Sequence, residues 1–114
     1  MVKIKTNSEA DIFVITIDGE IDASSSIQLD EVLNGSIDGS NSKIIVNGKD
    51  LAYISSAGLG VFMSYLEDIK THNIRMAIYG LNEMVKNVFE ILGLDQLLNI
   101  VDEMDEAAAF VNEV

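Results

Sequence analysis

Tyr53-Ile54-Ser55-Ser56-Ala57-Gly58-Leu59-Gly60-Val61-Phe62 joins two stretches that obey different periods. Before it, Lys43-Ile44-Ile45-Val46-Asn47 is a short apolar run of the kind that forms a strand covered on both faces. After it, Leu59, Phe62, Met63, Leu66 and Ile69 recur at spacings of three and four. That spacing predicts one helix from Gly58 to His72, with Glu67, Asp68 and Lys70 toward water. Two hydroxyls, Ser55 and Ser56, stand where the helix begins. Serine oxygen accepts from the unpaired amides of a first turn. The same positive end accommodates added negative charge, including a phosphate on serine. From the residues alone the cap is the commoner role, and the switch is the alternative.

Outward from this junction, strands and helices alternate. Downstream, Ile74 to Tyr79 reads as a strand closed by Gly80. Asn82 can cap a helix carrying Met84-Val85, Val88-Phe89 and Leu92, which Gly93 would end. Leu97 to Val101 predicts a further strand, and a last amphipathic helix follows from about Asp102, with Met104, Ala107-Ala108 and Val111 on one side. Upstream, Lys3-Ile4-Lys5 and Ile12 to Ile17 predict a hairpin around a polar turn, Asn7 to Asp11. Any of Ser24, Ser25 and Ser26 can cap a helix reaching about Asn34, with Ile27, Leu29, Val32 and Leu33 inside. Gly48-Lys49-Asp50 reads as a turn after the Lys43 strand. The expected fold is α/β, with a mixed, mainly parallel sheet of about five strands and four helices.

At 114 residues the chain fits one domain, 1–114, of a size that supports a single core. Nineteen acidic residues against seven basic ones give a net charge of −12. Such a surface repels nucleic-acid backbones and anionic lipid, and favours encounter with a basic patch on a protein. There is no cysteine, hence no disulfide or thiol chemistry. The first residues lack the apolar block of a signal peptide, and no run approaches the roughly 18 apolar residues of a membrane span. A cytoplasmic protein is the expectation.

Several motifs are weaker than they look. Gly58-Leu59-Gly60 is followed by Met63 where a dinucleotide fingerprint needs its third glycine, and no Walker lysine follows. Small residues that let the helix approach the sheet are the simpler reading. Asp18, Glu20 and Asp22 open like a calcium loop, but Ala23 and Leu29 occupy the positions of its glycine and its bidentate glutamate. His72, the only histidine, suits a helix C-terminus and is far in sequence from the serines, so a Ser-His-acid triad lacks support. Met63, Met76 and Met84 read as core filler. No cofactor, metal or catalytic residue is expected.

Asp50-Leu51-Ala52-Tyr53-Ile54-Ser55-Ser56-Ala57-Gly58-Leu59-Gly60 resembles the signature of STAS domains, specifically bacterial anti-sigma factor antagonists. Gly19-Glu20-Ile21-Asp22 is similar to their upstream Gly-Glu-Leu-Asp segment, and the element order matches over essentially the whole chain. The resemblance implies Ser56 as phosphoacceptor, with Ser55 the second choice, and a partner surface of Asp22, Ser55, Ser56, Ala57, Gly58 and Leu59. It implies an anti-sigma factor that is also the serine kinase, a PP2C-type phosphatase, and no enzymatic activity in the chain itself. The resemblance implies that the unphosphorylated form binds the anti-sigma factor. Ser55 stands where the family carries an aspartate, which removes a charge beside the acceptor; the resemblance puts Asp22 close enough to supply part of it. The alternative is a constitutive STAS scaffold or an accessory or ligand-sensing subunit, with Ser56 only a cap.

Overall fold

The computed structural model describes residues 2–39 and 41–113. A five-stranded sheet runs in the order β1 (Lys3–Glu9), β2 (Ile12–Ile21), β3 (Lys43–Ile54), β4 (Arg75–Tyr79), β5 (Asn99–Val101). β1 is antiparallel to β2, and the other three pairings are parallel. The connections carry α1 (Ser26–Asp38), then α2 (Ser56–Ser64) with α3 (Leu66–Thr71), then α4 (Glu83–Ile91) with a 3-10 turn at Leu94–Gln96. α5 (Met104–Val111) closes the chain.

Alternation along the strands splits the core into two layers. Ile15, Ile17, Ile44, Val46, Met76 and Ile78 face α1, α2 and α4, whose Leu29, Leu33, Leu59, Phe62, Val85 and Phe89 cover them. Phe62 and Phe89 meet edge to face at 5.8 Å, joining α2 to α4. The intervening Ile12, Val14, Ile45, Ala77 and Tyr79 face α5 through Ala107 and Val111. The expected α/β class and the mixed, mainly parallel five-stranded sheet are both present.

Local expectations needed correction. The hairpin turn is only Ala10-Asp11, so β1 takes in Asn7, Ser8 and Glu9. Gly48-Lys49-Asp50 is not a turn, because β3 runs through it to Ile54 and keeps pairing with β2, with register shifts between Thr16 and Asp18 and between Gly19 and Glu20. Gly48 fits closely there: a Cβ would press on Leu81 Cδ2 at 2.5 Å and on the Tyr79 carbonyl at 3.2 Å. The expected helix to His72 is broken at Tyr65, whose hydroxyl donates to Asp30 Oδ1 of α1 at 2.8 Å. Met76 is core, but Met63 and Met84 are exposed, as is Ile27 on α1. His72 does sit at the end of α3, with Nδ1 2.9 Å from the Asp68 carbonyl oxygen. Asn82 caps α4 as expected, accepting from the Val85 amide at 2.8 Å.

Candidate functional site

The overhang of β3 beyond β4 builds the site. Ile54 is registered with Ile21, and the next amide, Ser55 N, donates to the Ile21 carbonyl at 2.8 Å. Strand pairing thus holds Ser55 extended (φ −84, ψ 170) while its carbonyl already accepts the first helical bond, from Leu59 N at 3.0 Å. Its Oγ accepts from Gly58 N at 3.3 Å, so Ser55 is the N-cap. Ser56 is therefore the first residue of α2, exposed, and its hydroxyl has no hydrogen-bond partner among the described residues. The cap role, which the sequence left open between the two serines, falls on Ser55.

The residues after the serines act from beneath. Gly58 is buried, and a Cβ there would lie 2.7 Å from both Ile21 Cγ2 and Ile54 Cγ1. Leu59 is 2% exposed, so neither residue offers side-chain surface; they seat the helix on the sheet. Ala57 is half-buried. Gly60 has nothing within 4 Å of its Cβ position, so only the first glycine serves close approach. Ser56, Gly60 and Met63 follow at helical spacing on the outer face, all exposed, with the exposed Tyr53 just before the turn. Tyr53 and Met63 were not anticipated; the exposure of Met63 depends on the phase of α2, which the Gly58 contact sets.

Asp22 lies next to this turn through the Ile21–Ser55 bond, yet its carboxylate is committed elsewhere. Oδ1 accepts from Ser25 N, Ser24 Oγ and Ser25 Oγ, each at 2.9 Å, and the Asp22 amide donates to Ser25 Oγ at 2.8 Å. These bonds, the Ser25 amide first, hold its pKa down to about 2. Asp22 thus organises the entry to α1, and Ser25, the residue before that helix, makes no side-chain cap bond to it. The expectation that Asp22 replaces the missing aspartate therefore has to contend with three donors already on Oδ1. Asp22, Ser24 and Ser25 line a shallow cavity of about 440 Å³ with Val2, Glu20 and Gln28. Among the described residues no three acidic, histidine or cysteine side chains converge to hold a metal.

Residues 3–107 match the STAS domain family. The chain belongs to that family. Among sequence relatives, this STAS domain is 27% identical over 99 residues to the anti-sigma-B factor antagonist of Staphylococcus aureus, an alignment covering 87% of this chain and 92% of the relative. Among solved structures, an anti-sigma factor antagonist from Mycobacterium paratuberculosis superposes with a TM-score of 0.91 at 15% identity, over 99% of this chain and 96% of the other. The Bacillus cell fate determinant SpoIIAA in its phosphorylated form superposes with a TM-score of 0.73 at 20% identity, over 94% and 96%. The mixed, mostly parallel five-stranded sheet matches the STAS fold. No helix is long and apolar enough to cross a membrane among the described residues.

Proposed function

We propose that residues 1–114 form a single STAS domain acting in the cytoplasm as an anti-sigma factor antagonist, switched by phosphorylation of Ser56. The observation that carries this reading is the division of labour at the turn: Ser55 caps α2, while the exposed Ser56 hydroxyl is spare. The name of the staphylococcal relative and the phosphorylated form of SpoIIAA support it.

The physics is consistent with a switch that needs no catalysis in this chain. A phosphate brings about −1.5 to −2 charges. On the first residue of a helix the amide dipoles tolerate it, so the fold survives. Its effect falls on the surface formed by Ser56, Ala57 and the neighbouring Tyr53 and Met63, with Gly58, Leu59 and Asp22 supporting from beneath and beside. In the proposed cycle the unphosphorylated chain binds an anti-sigma factor that doubles as serine kinase, phosphorylation releases it, and a PP2C-type phosphatase resets it. The charge of −12 disfavours nucleic acid and anionic lipid as partners.

Incubation with ATP and the cognate kinase, followed by mass spectrometry, tests the acceptor. Label on Ser56 that survives Ser55→Ala and disappears in Ser56→Ala is the expected result. Label on Ser55, or none at all, defeats the switch. One observation favours the constitutive scaffold instead: Ser55 replaces the aspartate of the family pattern. Partner capture with Ser56→Ala and Ser56→Asp separates the two, since a scaffold binds equally in both and a switch loses binding only with aspartate.

A further inference from the structure

The long outer edge of β1 is the feature that neither the fold nor the Ser56 turn explains. β1 is an edge strand of seven residues, and all but Ile4 are exposed. Its two-residue turn closes on Glu9 and Ile12, and a pair that close to a turn exchanges its hydrogen bonds. Alternation then directs the amides and carbonyls of Lys3, Lys5, Asn7 and Glu9 inward to β2. Those of Ile4, Thr6 and Ser8 point outward. No other described strand lies on that side.

We propose that this edge pairs antiparallel with the same edge of a second copy, about a two-fold axis at Thr6, continuing the sheet through both molecules. The charge pattern selects the occupant and the register. With Thr6 opposite Thr6 of the second copy, Ile4 faces Ser8 and all seven residues pair. The three outward-facing positions then supply about six backbone hydrogen bonds. Lys3 falls opposite Glu9 and Lys5 opposite Asn7, at the non-hydrogen-bonded positions where side chains approach most closely. Centring on Ile4 instead sets Lys3 against Lys5, and centring on Ser8 leaves Lys3 and Lys5 without partners. A parallel arrangement stacks lysine beside lysine. Edge lysines ordinarily discourage pairing; here one is answered by the glutamate at the other end of the same strand. The long-range repulsion between two bodies of charge −12 opposes the contact, so the dimer is weak and reversible. The Ser56 turn follows β3, two strands from the seam, and stays accessible in both copies.

Sedimentation velocity of the full chain, from micromolar to about 1 mM at moderate salt, tests the seam. The expected result is a concentration-dependent monomer–dimer equilibrium. Lys3→Glu or Glu9→Lys each weaken it by on the order of tenfold, and the double exchange Lys3→Glu/Glu9→Lys recovers most of the loss. Thr6→Pro removes an outward amide that β2 does not use and abolishes the dimer. All these side chains are exposed, and far-UV circular dichroism verifies that each variant folds. A chain that stays monomeric throughout the range overturns the proposal. So does a dimer indifferent to Thr6→Pro, or one that the double exchange fails to restore.

Discussion

Two glycines two positions apart in α2 provide a sharp test of how the Ser56 turn is built. At Gly58 a Cβ meets Ile21 Cγ2 and Ile54 Cγ1, each at 2.7 Å. Both partner atoms lie close to the backbone on side chains that are themselves at most 3% exposed, so neither can swing away. Forcing a methyl into such a core costs about 1–3 kcal/mol. Alanine regains about 0.5–1 kcal/mol of backbone entropy in a helix, so Gly58→Ala is destabilising by up to about 2.5 kcal/mol on balance. At Gly60 only the second contribution operates, because the Cβ position is open and exposed. Gly60→Ala is therefore stabilising by about 0.5–1 kcal/mol. Urea titrations followed by circular dichroism read both, and for a chain of this size each kcal/mol moves the melting temperature by about 4 °C. The opposite signs are the prediction. A Gly58→Ala variant as stable as the wild type would mean that the helix does not press on the ends of β2 and β3 as described.

Ser55→Ala removes the cap and costs about 0.5–1 kcal/mol, the low end for such caps because the bond to Gly58 N is long at 3.3 Å; Ser56→Ala changes stability by less than about 0.5 kcal/mol, and thermal melts distinguish them. Asp22, held at about 2 against an ordinary 3.8, favours the folded state once ionised, so its contribution is present above about pH 4 and fades as the pH falls toward 2. Asp22→Asn lowers the melting temperature at neutral pH and removes that part of the acid dependence, as a pH series of melts will show. Arg75 stacks on the Phe110 ring at 4.1 Å while its Nε donates to the Phe110 carbonyl at 2.8 Å. Arg75→Ala costs about 1–2 kcal/mol and raises hydrogen exchange in α5, and Arg75→Lys recovers little because an ammonium cannot stack and reach the carbonyl together.

Periodicity made the sheet and the helical layer legible, because β2, β3 and β4 alternate between two covered faces and α4 carries a clear inner stripe. It failed where tertiary contacts override local signals. Gly48 looks like a turn residue but answers to Leu81 and Tyr79 across the sheet, so β3 continues for seven more residues, Gly48 to Ile54. The break at Tyr65 carries no glycine or proline; it coincides with the Tyr65 bond to Asp30, whose burial and acidic neighbour push the phenol up to about 12. Within the site, the choice between Ser55 and Ser56 as cap could not be read locally, since both residue types satisfy the rule. It is decided by the register of Ile21 with Ile54 and by the one glycine that fits against them.

That register has an electrostatic consequence for the proposed switch. An aspartate at the cap would give the turn a standing negative charge before any modification, and a neighbouring phosphate would add to it against like-charge repulsion. With serine at 55 the turn itself carries only the partial positive charge of the α2 amides, and the ionised Asp22 beside it is held by Ser24 and Ser25 in both states. In this chain the whole charge contrast between the two states of the turn would come from the phosphate itself. An apolar partner surface would then meet a neutral platform of Tyr53, Ser56, Gly60 and Met63 in one state and about −1.5 to −2 charges in the other. The neutral cap thus removes a competing charge from the turn, and the bound state has no carboxylate at position 55 to overcome.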